Sequence, residues 1–352
     1  MRTSPGELEM TIQQVRKRAG GNHLNRPKAP VGVSLKDAQV AWQRAGDAKN
    51  LQPKTVRWYG ERSSIFVRWA AGQGIHQLQQ VTPQKIQEFL HHLRHEHASG
   101  AGPKGRNGQS PKGDRRLADV TIRGSYNILQ VWFRWAQREG LLRHDPMQGV
   151  EKPKVPKGQI PVATRTEVRQ LTTTARQRDG YQGVRDETIV SFTFATGLRL
   201  SEVAGLTLSD IDWSSSSLRI LGKGNKERQV YMGPTTRRAL RNYVHKSRAA
   251  LVRRFSDRDD DALFLTVHGR PMAASGITTV FRRLRSKAGI KARFHGLRHG
   301  FAAESTRRGA DPFYLQEQLG HSSLDMVRHY VQKFGPDRQR KAARFDLGDL
   351  LK

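Results

Sequence analysis

The chain has 352 residues, with 62 Lys and Arg against 31 Asp and Glu, and it has no cysteine. This length is enough for two domains with hydrophobic cores, and the lack of cysteine excludes disulfides, thiolate metal sites and thiol nucleophiles. The net charge of +31 predicts a polyanionic partner, with nucleic acid as the first candidate and an anionic membrane surface as the second. Because the sequence contains neither an apolar run of about 18 residues nor a signal-peptide core, we expect no membrane partner and a cytoplasmic, nucleoid-associated protein.

Three segments of biased composition divide the chain. Residues 1–33 are polar and basic, which predicts a flexible arm that is either a solvated tail or a contact for DNA phosphates. Residues 96–118 are rich in Gly, Lys and Arg without periodicity, which predicts a mobile loop. Residues 150–161 (VEKPKVPKGQIP) combine prolines and lysines as an exposed linker does.

Between the arm and the linker, residues 34–149 show the apolar stripes of four helices. The first begins at Ser34, with Asp37 as the partner in a capping box. The other three begin at Pro53, at Pro83 and near Asp119. These patterns predict a small all-α domain.

Residues 162–352 predict a second, mainly helical domain. Thr164 and Glu167 form another capping box. Two short apolar runs, 218–221 and 228–232, flank GKGNKE and predict a β-hairpin. Helices are expected before the hairpin and again from residue 235 to residue 330. The predicted fold class is therefore mainly α with a small β-hairpin or sheet.

Polar residues with shared chemistry recur through this second domain. Arg199 lies at a Gly-Leu turn with Glu202 three residues later, and Lys223 lies at the hairpin tip. In the stretch from Phe294 to Val331, two imidazoles, a guanidinium and a phenol follow in order: His295, Arg298, His321 and Tyr330. Guanidinium groups grip phosphate with two parallel hydrogen bonds, and imidazoles move protons near neutral pH. Taken singly, each histidine and the tyrosine could equally be an ordinary surface or core residue.

As an ordered set, these residues resemble the tyrosine recombinases, the phage-integrase and Xer family. The resemblance spans the whole second domain and extends more weakly to the first, which resembles the family's core-binding domain. It implies a site-specific DNA recombinase or integrase that cleaves and rejoins duplex DNA through a covalent 3′-phosphotyrosine, without metal, ATP or other cofactor.

The resemblance also implies a role for each residue. Tyr330 would be the nucleophile, Arg199 and Arg298 would neutralise the phosphate, and Lys223 would protonate the leaving 5′ oxygen. The supporting roles fall to three further residues: His295 as general base or phosphate donor, His321 as phosphate donor, and Glu202 as a residue that orients Arg199 or His295. His299 and Ser201 are interpreted as structural.

Two alternatives remain open at this point. The chain could be a DNA-binding accessory or regulatory protein without catalysis, or a DNA-relaxing enzyme like type IB topoisomerases. The long arm and the 96–118 segment favour a mobile-element integrase. The resemblance further implies a tetramer on two DNA sites, leaves room for accessory DNA-bending proteins, and predicts that an apolar tail (Phe345, Leu347, Leu350 and Leu351) packs on a neighbouring protomer.

Overall fold

The structure is a computed structural model, and it describes residues 32–96, 116–156, 161–222, 226–255 and 261–335. The chain divides into two compact units between Gly158 and Gln159, which lies within the segment predicted as a linker. Several predictions fall outside the described residues: the arm up to residue 31, most of the 96–118 segment, Lys223, and the apolar tail.

The first unit contains the four predicted helices, and this part of the fold prediction is confirmed. They are α1 (Leu35–Ala48), α2 (Pro53–Gly72), α3 (Pro83–His95) and α4 (Asp119–Arg138). Ser34 caps α1, because its Oγ accepts a hydrogen bond from the Asp37 N–H at 3.0 Å. The helices α2 and α3 begin with proline, whose fixed φ suits a first helical turn.

Aromatic side chains form the core of this unit. Phe66 packs edge-on against Phe89 and Phe133, with ring centroids 5.1 and 5.8 Å apart. All three rings are fully buried, and each contributes about 2–3 kcal/mol of hydrophobic stabilisation. Val33 is also buried, and its carbonyl accepts a hydrogen bond from the Leu78 N–H. The predicted arm of residues 1–33 therefore extends too far, because Val33 belongs to the core.

The second unit is mainly helical. Its helices are α5 (Arg165–Arg176), α6 (Tyr181–Thr196), α7 (Leu200–Gly205), α8 (Pro234–Asn242), α9 (Ala249–Arg254), α10 (Ala274–Lys287), α11 (Phe294–Arg307), α12 (Pro312–Leu319) and α13 (Leu324–Phe334). The capping box of Thr164 and Glu167 at the start of α5 is confirmed. A π-helical turn, Tyr243–Arg248, joins α8 to α9, and sequence periodicity did not predict it.

A three-stranded antiparallel sheet precedes α8 in the chain. It consists of β1 (Ile211–Asp212), β2 (Ser217–Leu221) and β3 (Glu227–Tyr231) in that order. The predicted hairpin of β2 and β3 is confirmed, whereas β1 has only two residues and gave no pattern. Leu218 pairs with Val230, and both side chains are fully buried. The next inward pair places Ile220 opposite Arg228.

A small apolar cluster joins α11, α12 and α13. Phe301 of α11, Leu315 and Leu319 of α12, and Val327 and Tyr330 of α13 pack together. This cluster fixes the tyrosine helix against the helix that carries His295 and Arg298. No helix in the described ranges is long and apolar enough to cross a membrane.

Candidate active site

The first turns of α11 present three polar side chains on one face. His295, Arg298 and His299 are spaced i, i+3 and i+4, so they are neighbours on the helix surface. The opposite face packs closely because it carries glycine: a Cβ on Gly300 would lie 2.5 Å from the Ala163 carbonyl oxygen. The close approach holds α11 in place and leaves its polar face for the site.

Arg298 is buried, with 3% of its surface exposed, and backbone carbonyls hold its guanidinium group. Its Nη1 donates to the Gly197 carbonyl at 2.7 Å, and its Nη2 donates to the Leu319 carbonyl at 2.6 Å. Burial, and then the positive charge of Arg199, lower the pKa of Arg298 to about 10. The group therefore keeps its charge at neutral pH in a fixed orientation.

Arg199 lies at the N-terminus of α7, where Glu202 accepts two hydrogen bonds from it. The Arg199 N–H donates to Glu202 Oε2 at 2.8 Å, and Nη1 donates to Oε1 at 2.9 Å. A third bond runs from Nη2 to the Gly320 carbonyl at 3.1 Å. The predicted orienting role of Glu202 toward Arg199 agrees with this geometry.

A third arginine, which sequence reasoning did not propose, shares the same carboxylate. Arg228 of β3 donates through Nη1 and Nη2 to the two oxygens of Glu202, both at 2.9 Å. Its Nε donates to the Gln318 carbonyl at 3.3 Å. Burial alone would raise the pKa of Glu202, but the hydrogen bonds from Arg228 and Arg199 outweigh it and lower the pKa.

The end of α12 therefore holds all three guanidinium groups. The carbonyls of Gln318, Leu319 and Gly320 accept from Arg228, Arg298 and Arg199 respectively. The last carbonyls of a helix have no partner within the helix and carry partial negative charge, so they suit cationic donors. Gly320 adopts a left-handed conformation, with φ of +61°, which ends the helix at the point where these carbonyls meet the arginines.

Tyr330 of α13 is buried beside these arginines. Its hydroxyl forms a short hydrogen bond with Nδ1 of His299. Burial raises the pKa of the Tyr330 phenol, and the charge of Arg298 partly opposes that rise. Burial also lowers the pKa of His299 to about 4, with smaller contributions from His295 and Arg298. His299 is thus a neutral imidazole at pH 7, and its tautomer decides whether Nδ1 donates to or accepts from the phenol.

Two further imidazoles border the arginines. His295 is exposed, and its ring lies edge-on to His299 with centroids 4.4 Å apart. Although the residue is exposed, the protein around its ring removes part of the water, and this partial desolvation, followed by the charges of Arg298 and Arg199, lowers its pKa. His321 follows Gly320 directly, and the same causes lower its pKa to about 4. Its buried Nδ1 has no hydrogen-bond partner among the described residues.

Comparison with known proteins places this arrangement in a family. The model of the phage integrase family matches residues 162–335. A tyrosine recombinase XerD of Halalkalibacterium halodurans is 30% identical over 286 residues, which cover 80% of this chain and 88% of that protein. The chain belongs to the phage integrase family of tyrosine recombinases. It is a site-specific DNA recombinase by this relationship.

Solved structures of tyrosine recombinases share the fold. XerH bound to a palindromic difH substrate superposes with a TM-score of 0.65 at 16% identity, covering 99% of this chain and 98% of that one. A lambda integrase dimer bound to a COC′ core site gives a TM-score of 0.62 at 16% identity, covering 92% and 85%. The expected two-domain recombinase fold is therefore confirmed.

Most of the predicted site residues of this tyrosine recombinase lie in one place. The structure brings together Arg199, Glu202, His295, Arg298, His321 and Tyr330, whereas Lys223 lies outside the described residues. Within the described ranges, no group of three His, Cys, Asp or Glu side chains could hold a metal ion.

Sequence reasoning missed two members of the site. His299 was interpreted as structural, although its spacing of four from His295 placed it on the same helix face. Arg228 lies in the same GKGNKER motif as Lys223, but nothing in the motif showed that it would reach Glu202. Ser323 is the N-cap residue of α13, and its side chain makes no capping hydrogen bond.

Proposed function

We propose that this recombinase cleaves one DNA strand with Tyr330, using Arg199 and Arg298 as the phosphate clamp. One observation carries the proposal. Beside the buried phenol, Arg298 and Arg199 donate hydrogen bonds to two consecutive backbone carbonyls, those of Leu319 and Gly320. A guanidinium that is fixed before the substrate arrives stabilises a developing negative charge without reorganising.

The proposed reaction exchanges one phosphodiester for another. The Tyr330 oxygen forms a bond to phosphorus while the bond to the 5′ oxygen breaks, so the strand end becomes a 3′-phosphotyrosine. The phenol proton passes to a neighbouring base, for which His299 and His295 are the candidates by position. Lys223 supplies a proton to the departing 5′ oxygen. Because one ester replaces another, a 5′ hydroxyl can attack the phosphotyrosine and reseal a strand without ATP.

We further propose that His321 donates to a nonbridging phosphate oxygen. Its Nδ1 has no partner among the described residues. The residue directly follows Gly320, whose carbonyl accepts a hydrogen bond from Arg199. A neutral imidazole carries one N–H, which can be directed at the phosphate.

The partner we propose is a duplex DNA recombination site, and the first unit, with the basic arm, is proposed as a second DNA-binding surface. The solved relatives include a recombinase bound to a DNA substrate and an integrase bound to a core site. The basic net charge of +31 is consistent with such a partner. Strand exchange between two sites needs four cleavages, so we propose a tetramer in which the apolar tail contacts a neighbour. Cytoplasmic, nucleoid-associated localisation and a mobile-element origin belong to the same proposal.

Covalent trapping tests the proposal directly. A nicked substrate lets the cleaved fragment diffuse away, so the protein–DNA adduct accumulates and can be counted on a denaturing gel. Tyr330→Phe removes only the nucleophilic oxygen, so we expect no adduct and nearly unchanged DNA affinity. Since the hydroxyl also bonds His299, the melting temperature of the variant is measured alongside.

The result separates the proposal from its alternatives. An accessory protein without catalysis would form no adduct even with the wild-type chain. A DNA-relaxing enzyme would form the adduct and relax supercoiled DNA but would not exchange strands between two sites. An adduct that persists in Tyr330→Phe would assign the nucleophile elsewhere.

A further inference from the structure

The β-hairpin contributes to the site a residue whose hydrogen bonds go to protein acceptors. Arg228 of β3 uses three of its five N–H donors on protein acceptors: both oxygens of Glu202 and the Gln318 carbonyl. Its side chain is 13% exposed, whereas that of Arg199 is 34% exposed. Arg228 therefore holds other groups in position and is not a third phosphate ligand.

The group that Arg228 holds is the one that orients Arg199. Each Glu202 oxygen accepts one bond from Arg228 and one from Arg199. The carboxylate is 5% exposed, so solvent cannot replace a missing donor easily. Without Arg228, Glu202 would keep half of these bonds and could rotate, and the orientation of Arg199 would become less defined.

Charge gives a second reason for this role. A carboxylate that faced Arg199 alone would neutralise much of its positive charge. Because Glu202 also pairs with Arg228, the three groups together carry one net positive charge, which Arg199 can present to a phosphate.

The strand that carries Arg228 is itself tied to α12. The Gln318 side chain accepts from the Tyr231 N–H at 3.2 Å and donates to the Tyr231 carbonyl at 3.1 Å. Arg228 also packs against Gly320, where a Cβ would lie 2.9 Å from its Cζ. The end of β3 and the end of α12 thus behave as one unit around the arginine.

We propose that Arg228 is a positioning residue for strand cleavage, acting through Glu202 on the orientation and charge of Arg199. This inference rests on the proposed role of Arg199 as a phosphate ligand. It adds one residue of β3 to the site, although the other residues of that strand face the core or the solvent.

Single-turnover cleavage of a nicked duplex at saturating protein tests the inference. Arg228→Gln is expected to lower the cleavage rate by about 100-fold, the order expected when a catalytic group is misplaced by about 1 Å. Arg228→Lys should be impaired less, because the charge is kept while the fork is removed. DNA affinity should change by no more than about threefold, because Arg228 is largely buried and bonds protein acceptors.

The matched control is Arg219 on the neighbouring strand β2. It is 60% exposed and pairs with Asp210 at 3.6 Å, away from the site. Arg219→Gln removes the same charge from the same sheet and should cleave at the wild-type rate. A thermal melt of each variant shows whether a reduced rate reflects an unfolded protein.

A double-mutant cycle distinguishes positioning from general support of the fold. If Arg228 acts through Glu202, Arg228→Gln combined with Glu202→Gln should cleave within about threefold of the slower single variant. Independent, multiplicative losses would overturn the inference. So would a wild-type rate in Arg228→Gln, or a reduction in rate that a higher protein concentration restores.

A spectroscopic readout keeps the inference separate from the proposed chemistry. The Arg199 Nε–H resonance, assigned by substitution, should broaden or shift in Arg228→Gln and stay unchanged in Arg219→Gln. If the wild-type protein formed no covalent adduct, the proposed function would fail, and this resonance would still decide whether Arg228 orients Arg199. An unchanged resonance would refute the inference whatever the activity.

Discussion

His299 and His321 are held neutral in the free protein. Burial lowers the pKa of each to about 4, and the charge of Arg298 adds to the effect in both. An unfolded histidine has a pKa of about 6.5. Between these values the unfolded chain binds more protons than the folded chain, so acid favours unfolding. The stabilisation is complete above about pH 6.5 and is lost as the pH falls toward 4.

The melting temperature should accordingly fall between pH 6.5 and pH 4 as these imidazoles resist protonation. In His299→Gln, which keeps a polar side chain near Tyr330, the fall should be shallower because one titrating group is gone. His329→Gln on α13 is the control, since that histidine is exposed. Scanning calorimetry across this range checks the slopes. Parallel slopes for the wild type and both variants would show that His299 does not resist protonation.

At the scale of elements, the junction between α12 and α13 combines a backbone requirement with a packing requirement. Gly320 has a φ of +61°, and a Cβ there would lie 2.9 Å from Cζ and from Nε of Arg228. Gly289 is a useful counterpart, because its φ is +67° and a Cβ there would meet nothing within 4 Å. The two glycines share the strained conformation but differ in what surrounds it.

Alanine substitution at both glycines separates the two requirements. Gly289→Ala should cost about 1–2 kcal/mol of stability from backbone strain alone, with unchanged cleavage. Gly320→Ala should cost at least as much and should also slow cleavage, because Arg228 must move and Glu202 with it. Chemical denaturation and the adduct assay measure the two effects. Equal cleavage rates in both variants would mean that the displaced Arg228 has no influence on the site.

The elements differ in how far the sequence could predict them. The four-helix unit, the capping box at Thr164 and the β2–β3 hairpin follow from periodicity and turn residues, which are local signals. The ordered set from Arg199 to Tyr330 was recognisable because its motifs are local too. Bonds to the carbonyls of Gln318, Leu319 and Gly320 leave no trace in residue identity, because every residue has a carbonyl. The partnership of Arg228 with Glu202 spans 26 residues and needed the folded chain.

At the scale of the whole molecule, the excess of basic residues controls how strongly DNA binding depends on salt. Each phosphate that a protein neutralises releases counterions, so the logarithm of the binding constant falls linearly with the logarithm of salt concentration. A chain with a net charge of +31 should show a steep slope. Much of that slope should arise without sequence preference, because phosphate contacts position a protein without reading bases.

Removing the basic N-terminal residues measures their share of this binding. The deletion should end at residue 31, because Val33 is buried in the first unit. If the segment binds phosphates, the slope should become shallower by about 0.9 for each phosphate that the shortened protein no longer neutralises. Fluorescence anisotropy at several salt concentrations gives both slopes. Identical slopes would make the segment a passive tail.

The run of carbonyls at the end of α12 also has an evolutionary consequence. Three arginines from distant parts of the chain meet three consecutive peptide units, and their hydrogen bonds to those units do not depend on which side chains the units carry. What limits substitution in this run is therefore not the arginine bonds but its other contacts: the Gln318 side chain bonds Tyr231, Leu319 is buried, and Gly320 has a positive φ. An inserted or deleted residue would instead shift every carbonyl to the wrong arginine at once. Lineages descended from this protein should therefore keep this run constant in length.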